Sequence, residues 1–447
     1  MAIEAIFSSV AGGDALRARA VELIADASAR ATTSAVEVNV MTFSFTDPFI
    51  ADSLAAAAQQ PRLTIRLIAD WTQRAADGIQ QVGRLAELGL PNLRVRYKKD
   101  QPYIWDASDA RMRWSYRASR GMLHHKTLSV VVDGEPSRLV CGSYNWSAKA
   151  ADSYENLLIV TDSTAGCREL MSRMEKEFAA IWSDNTASLS PADAQAHYEA
   201  VAETYRQQAM AAPGSMNSVP PGPGPAGPLR VLSSRHEAAG PLRMLNSRHD
   251  TGSGPEEGSI GPDILIAFSA RRPNEEQSRA GYAESNCRRH ITLSVPGGRT
   301  KRVPLTISTL ALDVIYRARP GETLLIAMYG LSTRVPEYGA LLNAARAGVS
   351  LRILLDRKVG KRTAESLSLV RLREDLPIQV KSGYRMMHEK YIVNVDTGTV
   401  LTGTANMSTD ASTRHSEHRL RVLGNSGLAD QFAADFDTIW NRVGNPI

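Results

Sequence analysis

The chain has 447 residues, 43% hydrophobic and 22% charged, which excludes a collagen-like or wholly disordered protein. Its formal net charge of +5 permits a polyanionic partner without requiring one. Three cysteines do not make a disulfide framework or a paired-cysteine metal motif, so we expect a reducing compartment, no metal site and no cofactor. The first residues lack a signal peptide's basic start, and no apolar run is long enough to span a bilayer. We therefore predict a cytoplasmic protein without stable membrane insertion.

The first half of the chain alternates patterns typical of strands and helices, which favours an α/β fold. Strand-like runs are Ile3–Ser8, Val36–Ser44, Leu63–Asp70, Leu93–Tyr97, Thr127–Val132 and Arg138–Cys141. Helix-like segments are Asp47–Gln59, Gly78–Leu88 and a closing segment that carries Phe178 and Trp182 on one face.

The middle of the chain is rich in Pro, Gly and Ser between Pro213 and Pro228, a composition that holds neither a helix nor an inner strand. A short tandem repeat follows, Gly227–Glu237 and Gly240–Asp250. The repeat is interpreted either as a duplicated surface linker or as a docking element for a peptide or an anionic ligand. We predict an N-terminal lobe at residues 1–205, a linker at 206–262 and a C-terminal lobe at 263–447.

The second half repeats the order of the first. Its strand-like runs are Ile264–Ser269, Leu324–Tyr329, Leu351–Asp356, Ile378–Val380, Tyr391–Val395 and Val400–Thr402, and its helix-like segments are Val335–Ala347, Arg362–Glu374 and a closing helix with Phe436 and Trp440. The duplication predicts two lobes, each a mixed β-sheet sandwiched by helices, with one active site at the lobe interface.

The same polar motif occurs in each half: His-x-Lys, then Gly-Ser/Thr-x-Asn, then Glu. Its members are His124, Lys126, Ser143, Asn145 and Glu155 in the first half, and His388, Lys390, Thr404, Asn406 and Glu417 in the second. Residues i and i+2 of a strand share a face, so two facing motifs would surround a phosphate with lysines, amides and hydroxyls and place an imidazole on each side. Each glutamate would fix the tautomer of a histidine. The pattern predicts cleavage of a phosphodiester without a metal ion.

With its two His-x-Lys…Asp motifs, each followed by Gly-Ser/Thr-x-Asn, the chain resembles the phospholipase D superfamily across both halves. The resemblance implies two phospholipase D-like lobes and a phosphohistidine intermediate that water or an alcohol resolves. It implies His124 as nucleophile and His388 as general acid, although the sequence also permits the reverse. The candidates for the motif aspartate are Asp133 and Asp396, seven and six residues after the lysines, and either can instead cap its strand before a turn. Threonine replaces the usual serine at position 404 and keeps the hydroxyl.

The segment from Arg94 to Arg120 interleaves cations with aromatic residues directly before the first motif, as in a groove for single-stranded nucleic acid. An irregular solvated loop with a few core aromatics is the other interpretation. The candidate substrate-binding residues are Trp105, Arg111, Arg113, Trp114 and Tyr116.

Three functions remain open: a nuclease-like phosphodiesterase, which is favoured, a phospholipase D or phosphatidyl transferase acting on lipid head groups, and a non-catalytic binding protein. Two motifs in one chain would make a monomer catalytically complete. The remaining histidines are expected to be structural, His415 and His418 among them, and Asp70 and Asp356 are expected to be structural or to lie at the rim.

Overall fold

The structure is a computed structural model that describes residues 3–74, 80–98, 103–106, 111–114, 122–183, 188–211, 264–269, 290–295, 299–413 and 415–443. Within these ranges, the helices and strands form two lobes of the same construction.

The N-terminal lobe contains the first ten strands and six helices. The strands are β1 (Ile3–Phe7), β2 (Val36–Thr42), β3 (Leu63–Ala69), β4 (Leu93–Lys98), β5 (Tyr103–Asp106), β6 (Arg111–Trp114), β7 (Lys126–Val132), β8 (Glu135–Gly142), β9 (Asn156–Thr161) and β10 (Ser188–Leu189). The helices are α1 (Ser8–Ala11), α2 (Gly13–Arg30), α3 (Pro48–Ala57), α4 (Gln81–Glu87), α5 (Ala165–Ser183) and α6 (Pro191–Ala211).

The C-terminal lobe has the same order with a hairpin added. Its strands are β11 (Ile264–Phe268), β12 (His290–Val295), β13 (Arg299–Pro304), β14 (Thr323–Met328), β15 (Ser350–Asp356), β16 (Ile378–Gly383), β17 (Lys390–Asn394), β18 (Thr399–Gly403) and β19 (His418–Val422). Its helices are α7 (Ile307–Arg317), α8 (Pro336–Arg346), α9 (Lys361–Glu374), α10 (Thr409–Thr413) and α11 (Ser426–Arg442).

In the described part of the chain, the seven strands of the second large sheet match the first seven strands of the first, which has β10 in addition. The first has the order β1-β9-β8-β7-β2-β3-β4-β10 and the second β11-β19-β18-β17-β14-β15-β16. In both sheets, parallel pairs built by strand–helix–strand crossovers join an antiparallel meander that carries the motifs. The predicted fold of two α/β lobes with mixed sheets is confirmed.

Period-two patterning gives each sheet two buried faces. In β2, Val36, Val38 and Val40 pack under the outer helices, whereas Met41 faces the middle of the molecule. This follows from the alternation of side chains along a strand. Both faces are apolar because helices cover both sides of the sheet.

The middle layer joins the lobes into one body. The closing helices α5 and α11 lie there, and one apolar cluster contains residues of both helices and both sheets. Phe432 of α11 makes edge-on ring contacts with Phe7 of the first sheet at 4.8 Å and with Tyr391 of the second at 5.0 Å. Phe436 and Trp440 of the Phe-x-x-x-Trp pattern belong to the same buried cluster, so the aromatic face of α11 lies between the lobes, where the motifs also meet.

The expected linker at 206–262 begins inside α6, which continues to Ala211, and its remaining residues, with the tandem repeat, lie outside the described ranges. Among the helices described, none combines the length and the hydropathy that crossing a bilayer requires.

Candidate active site at the lobe interface

Backbone hydrogen bonds across the interface hold each motif histidine in place. The N–H of His124 donates to the carbonyl of Ser416 at 3.0 Å, and the N–H of His388 donates to the carbonyl of Tyr154 at 3.1 Å. Each histidine therefore begins its motif while bonded to the residue before the opposite lobe's glutamate. The interface itself aligns the two motifs.

The histidine–glutamate pairs are crossed between the lobes. His124 Nδ1 lies 2.8 Å from Oε2 of Glu417, and His388 Nδ1 lies 2.9 Å from Oε2 of Glu155. A carboxylate accepts, so each Nδ1 carries the proton and Nε2 is the nitrogen left for chemistry. The two imidazole ring centroids are 6.4 Å apart.

The motif lysines are almost fully buried beside the histidines. Lys126 and Lys390 are each 2% exposed, and each ammonium donates to the carbonyl of the histidine two residues earlier. Burial, reinforced by the charge of Lys390, lowers the pKa of Lys126 to about 7, and burial lowers the pKa of Lys390 to about 8. Each ammonium group has lost water by burial and is repelled by the other, so an anion bound between them stabilises both charges.

Burial also keeps the histidines neutral. It lowers the pKa of His124 to about 3, against the opposing effect of Glu417, and it lowers the pKa of His388 against that of Glu155. A neutral imidazole with Nδ1 protonated presents its Nε2 lone pair, which is the form of a nucleophile.

Asn145 and Asn406 occupy matching loops after β8 and β18. The Oδ1 atom of each is buried, and among the described residues neither Oδ1 accepts a hydrogen bond. The unsatisfied atom is a hydrogen-bond acceptor in both residues, so a phosphate oxygen, which also accepts, does not complete it, and only the amide N–H groups could donate to such a ligand.

The glycine and hydroxyl residues of each motif contact the backbone of the neighbouring strand, which follows the glutamate. Gly142 and Gly403 have φ values of 141° and 142°, and a Cβ at either would lie 2.5 Å from the carbonyl oxygen of the neighbouring strand. The Ser143 Oγ accepts from the N–H of Asn156 at 2.9 Å, and the Thr404 Oγ1 accepts from the N–H of His418 at 3.1 Å. Both hydroxyls thus fasten the strand that follows the glutamate, and either hydroxyl residue fits this contact.

The candidate motif aspartates lie in exposed turns at the far ends of β7 and β17. Asp133 Oδ1 accepts from the N–H of Ala35 at 2.9 Å, and Asp396 Oδ2 accepts from the N–H of Thr323 at 3.4 Å. The structure therefore does not bring them to the histidines, and both have the turn-capping geometry.

Two other aspartates support the histidines through the backbone. Asp70 accepts from the N–H of Leu123 at 2.7 Å, and Asp356 accepts from the N–H of Met387 at 3.3 Å. Leu123 and Met387 directly precede the motif histidines. The ends of β3 and β15 thus position the two motifs.

Ser8 and Ser269 are positioning residues that the sequence interpretation missed. Ser8 Oγ accepts from the N–H of Glu155 at 2.8 Å, and Ser269 Oγ accepts from the N–H of Glu417 at 2.7 Å. These serines directly follow the duplicated first strands β1 and β11, and that repetition was the available signal.

The five candidate substrate-binding residues lie where the structure describes no side chains. Trp105, Arg111, Arg113 and Trp114 belong to the paired strands β5 and β6, whose side chains lie outside the description, and Tyr116 lies outside the described residues. No cluster of three or more His, Cys, Asp or Glu side chains in the described ranges could hold a metal ion.

Chemically, the arrangement offers two carboxylate-bound imidazoles and two buried cations close together. The ring of Phe43 makes an edge-on contact with that of His124, with centroids 4.9 Å apart. The ring of Tyr329 makes the same contact with that of His388 at 5.0 Å. These aromatic walls keep the imidazoles fixed. The set can bind one tetrahedral anion between two nitrogen bases.

Comparison with known proteins gives one family. The family described as "Cardiolipin synthase, PLD-like domain" matches residues 27–182 and 312–440, which is more than half of the chain. A mitochondrial cardiolipin hydrolase from Xenopus laevis is 28% identical over 142 residues, covering 32% of this chain and 52% of that protein. The chain thus spans about half the length of this curated relative.

A solved structure shares the fold along nearly the whole chain. The phosphatidylserine synthase of Haemophilus influenzae Rd KW20 has a TM-score of 0.57 and 12% identity, over 99% of this chain and 87% of that one. The phospholipase D family member Nuc from Salmonella typhimurium is 20% identical over 41% of this chain and 97% of that one, with a TM-score of 0.29. At 12% identity, the likeness to the synthase concerns the fold and not the substrate.

Proposed function

Because the chain belongs to the phospholipase D-like family, whose members cleave or transfer phosphodiesters, we propose that it is a metal-independent phosphodiesterase that works through a phosphohistidine intermediate. The observation that carries this proposal is the crossed pair of histidine–glutamate contacts between two buried lysines. The lysines and the amides of Asn145 and Asn406 supply the positive charge and the donors that the non-bridging oxygens require.

The proposed reaction has two steps. One neutral imidazole attacks phosphorus through its Nε2 as the bond to the leaving oxygen breaks. The other imidazole, protonated on both nitrogens when the anionic substrate is bound, gives its Nε2 proton to the leaving oxygen, and a phosphohistidine results. That second imidazole then takes a proton from water, and the resulting hydroxide displaces the histidine. An acid and a base on opposite sides of one phosphorus can exchange roles in this way.

We propose nucleic acid as the first candidate substrate, on account of the rim beside the second motif. Tyr384 is 91% exposed, and the Arg357 guanidinium lies 4.0 Å from its ring centroid. An exposed ring among cations is a stacking platform for single-stranded bases. The neighbouring residues Lys358, Lys361 and Arg362 are also exposed.

A phospholipid is the second candidate, and it draws on the same rim. Val359 and Met386 are exposed beside these cations, and apolar side chains among lysines suit a bilayer surface. The names of the relatives above, a cardiolipin hydrolase and a phosphatidylserine synthase, support this candidate.

The test incubates the purified protein with single-stranded DNA, RNA, and vesicles of phosphatidylcholine or cardiolipin, each with and without EDTA. His124→Ala and His388→Ala are the matched inactive variants. Turnover that survives EDTA and is lost in both variants is expected. Loss of all turnover with EDTA would overturn the metal-free mechanism, and turnover of lipid alone would replace the first candidate with the second. A protein that processes none of these substrates would favour the binding-protein alternative.

A further inference from the structure

Two carboxyl groups lie buried behind the second motif, where the proposed reaction does not use them. Neighbouring residues of an extended segment face opposite sides, so Glu389 points away from His388 and Lys390. Its side chain faces Asp435 of helix α11 in the middle layer. Both acids are fully buried. A buried carboxylate is unfavourable unless donors or cations compensate its charge, so the surroundings of each acid decide its form.

Asp435 has donors from both lobes. Its Oδ1 accepts from Ser9 Oγ of helix α1 in the N-terminal lobe, and its Oδ2 accepts from the Tyr391 hydroxyl of β17 at 2.7 Å. Burial raises the pKa of Asp435, and these hydroxyls and the charge of Arg442 oppose that effect. The Arg442 guanidinium also donates to the carbonyl of Ser9 at 2.9 Å. Asp435 therefore has the donors of an ionised carboxylate and lies where the lobes meet.

Glu389 lacks such donors. In the described part of the chain, neither of its carboxyl oxygens accepts a hydrogen bond from a donor group. Burial and the charge of Asp435 raise the pKa of Glu389 well above its usual range, and Glu155 adds to this shift while Lys390 opposes it. Two ionised carboxylates cannot donate to one another, so the facing pair forms a hydrogen bond only when one of them keeps a proton.

The N-terminal lobe carries a different pair at the matching positions. These positions, between the histidine and the lysine of the first motif and before the first aromatic residue of α5, hold His125 and Glu177. His125 Nε2 lies 3.5 Å from Oε1 of Glu177. The architecture thus accepts a base facing an acid in this place. Two facing acids are a property of the C-terminal lobe.

We propose that Glu389 and Asp435 hold one proton between them and that this proton is a pH-sensitive lock on the lobe interface. Glu389 carries the proton and donates it to Asp435. When pH rises and the proton leaves for solvent, two negative charges face each other without water. The contacts of α11 with Ser9 and with Tyr391 then weaken. The lock lies next to the second motif, but it does not depend on the proposed phosphodiesterase function.

The test compares the stability of the wild-type protein and Glu389→Gln by urea denaturation from about pH 5 to about pH 9, a range that starts above the ordinary pKa of glutamate. Glutamine has the shape of the protonated acid and cannot ionise. The unfolded chain loses the Glu389 proton above about pH 4.3, whereas the folded protein keeps it until its raised pKa, so wild type loses stability as pH rises between the two values.

The folding equilibrium constant of wild type, divided by that of Glu389→Gln, should therefore fall by about tenfold per pH unit until the folded protein also loses the proton. The titrations of other groups are shared by both proteins and cancel in this ratio. Glu365→Gln, which changes an exposed glutamate of α9, is the control and should give a ratio that is independent of pH.

Hydrogen exchange at a single pH locates the effect, because the intrinsic exchange rate is then the same in both proteins. Above the pH at which the ratio levels off, the segments around Ser9 and Tyr391 should exchange faster in wild type than in Glu389→Gln. Equal exchange in these segments would overturn the lock. A stability ratio that stays constant over the whole pH range would overturn the shared proton.

Asp435→Asn provides a second measurement if Glu389→Gln does not fold. Removing the facing charge should move the titration of one glutamate carboxyl carbon to lower pH, as observed by NMR in this variant and in wild type. Glutamate titrations that are unchanged by Asp435→Asn would overturn the inference.

Discussion

Lys126 and Lys390 bring two ammonium groups into a space from which water is nearly excluded. Desolvation disfavours their charge, and a bound phosphate restores it. The free protein is therefore ready for an anion but holds its lysine protons weakly near neutral pH.

A pH profile of kcat/KM follows from this. The charged forms are lost as pH rises through about 7 for Lys126 and about 8 for Lys390, so kcat/KM should fall above about pH 7. Steady-state rates between pH 5 and 9 measure it, with circular dichroism at each pH as the control for folding. A kcat/KM that stays constant to pH 9 would contradict the prediction.

The crossed carboxylates give a second residue-level prediction. Glu155→Gln removes the charge that supports His388 in the other lobe, so we expect kcat/KM to fall by about 10²-fold or more. Nitrogen-edited NMR of the imidazole Nδ1–H protons should change at His388 and stay constant at His124. Glu417→Gln is the matched variant and should do the reverse. A change at the histidine of the same lobe would show that the pairs are not crossed.

At the scale of elements, helix α11 ties the lobes together through its buried aromatic face. Phe432→Ala removes a ring that packs against both sheets, so we expect the free energy of unfolding to fall by about 3–5 kcal/mol. Urea denaturation measures it, and Asp430→Ala on the exposed face of the same helix is the control. If the urea curve showed two unfolding transitions and Phe432→Ala shifted only one of them, the two lobes would not share a core.

The elements were predictable where periodicity is strong. Leu63–Asp70 and Leu351–Asp356 were expected as strands, and the structure has Leu63–Ala69 and Ser350–Asp356. The helix expected at Gly78–Leu88 is described at Gln81–Glu87. Such patterns report burial on one element, which local sequence encodes.

Local sequence patterns could not predict which residues of the two lobes pair with each other. The motif residues could be selected because they repeat, but which glutamate serves which histidine depends on how the sheets face each other. For the same reason, the sequence could not show that Ser143 and Thr404 bond to the backbone of the strand that follows each glutamate. His415, expected to be structural, contacts Glu417 because of a packing that its own sequence neighbourhood does not encode.

For the whole molecule, the shared middle layer makes the covalent connection between α6 and β11 dispensable once the protein has folded. A protease site introduced between residues 211 and 264 should allow cleavage without loss of activity, because one apolar cluster holds both lobes. Size-exclusion chromatography of the cleaved protein should show one complex, with the intact protein as the reference. Two separate peaks would mean that the linker holds the lobes together.

The exchange of glutamates between the lobes has an evolutionary consequence. The histidine of each half is paired with the glutamate of the other half. A single lobe would therefore obtain a carboxylate for its histidine only by associating with a second copy. A symmetric dimer of one lobe would contain both exchanges, and joining its two subunits in one chain preserves them. After such a fusion, selection acts on the two halves separately while the exchanged carboxylates stay interdependent.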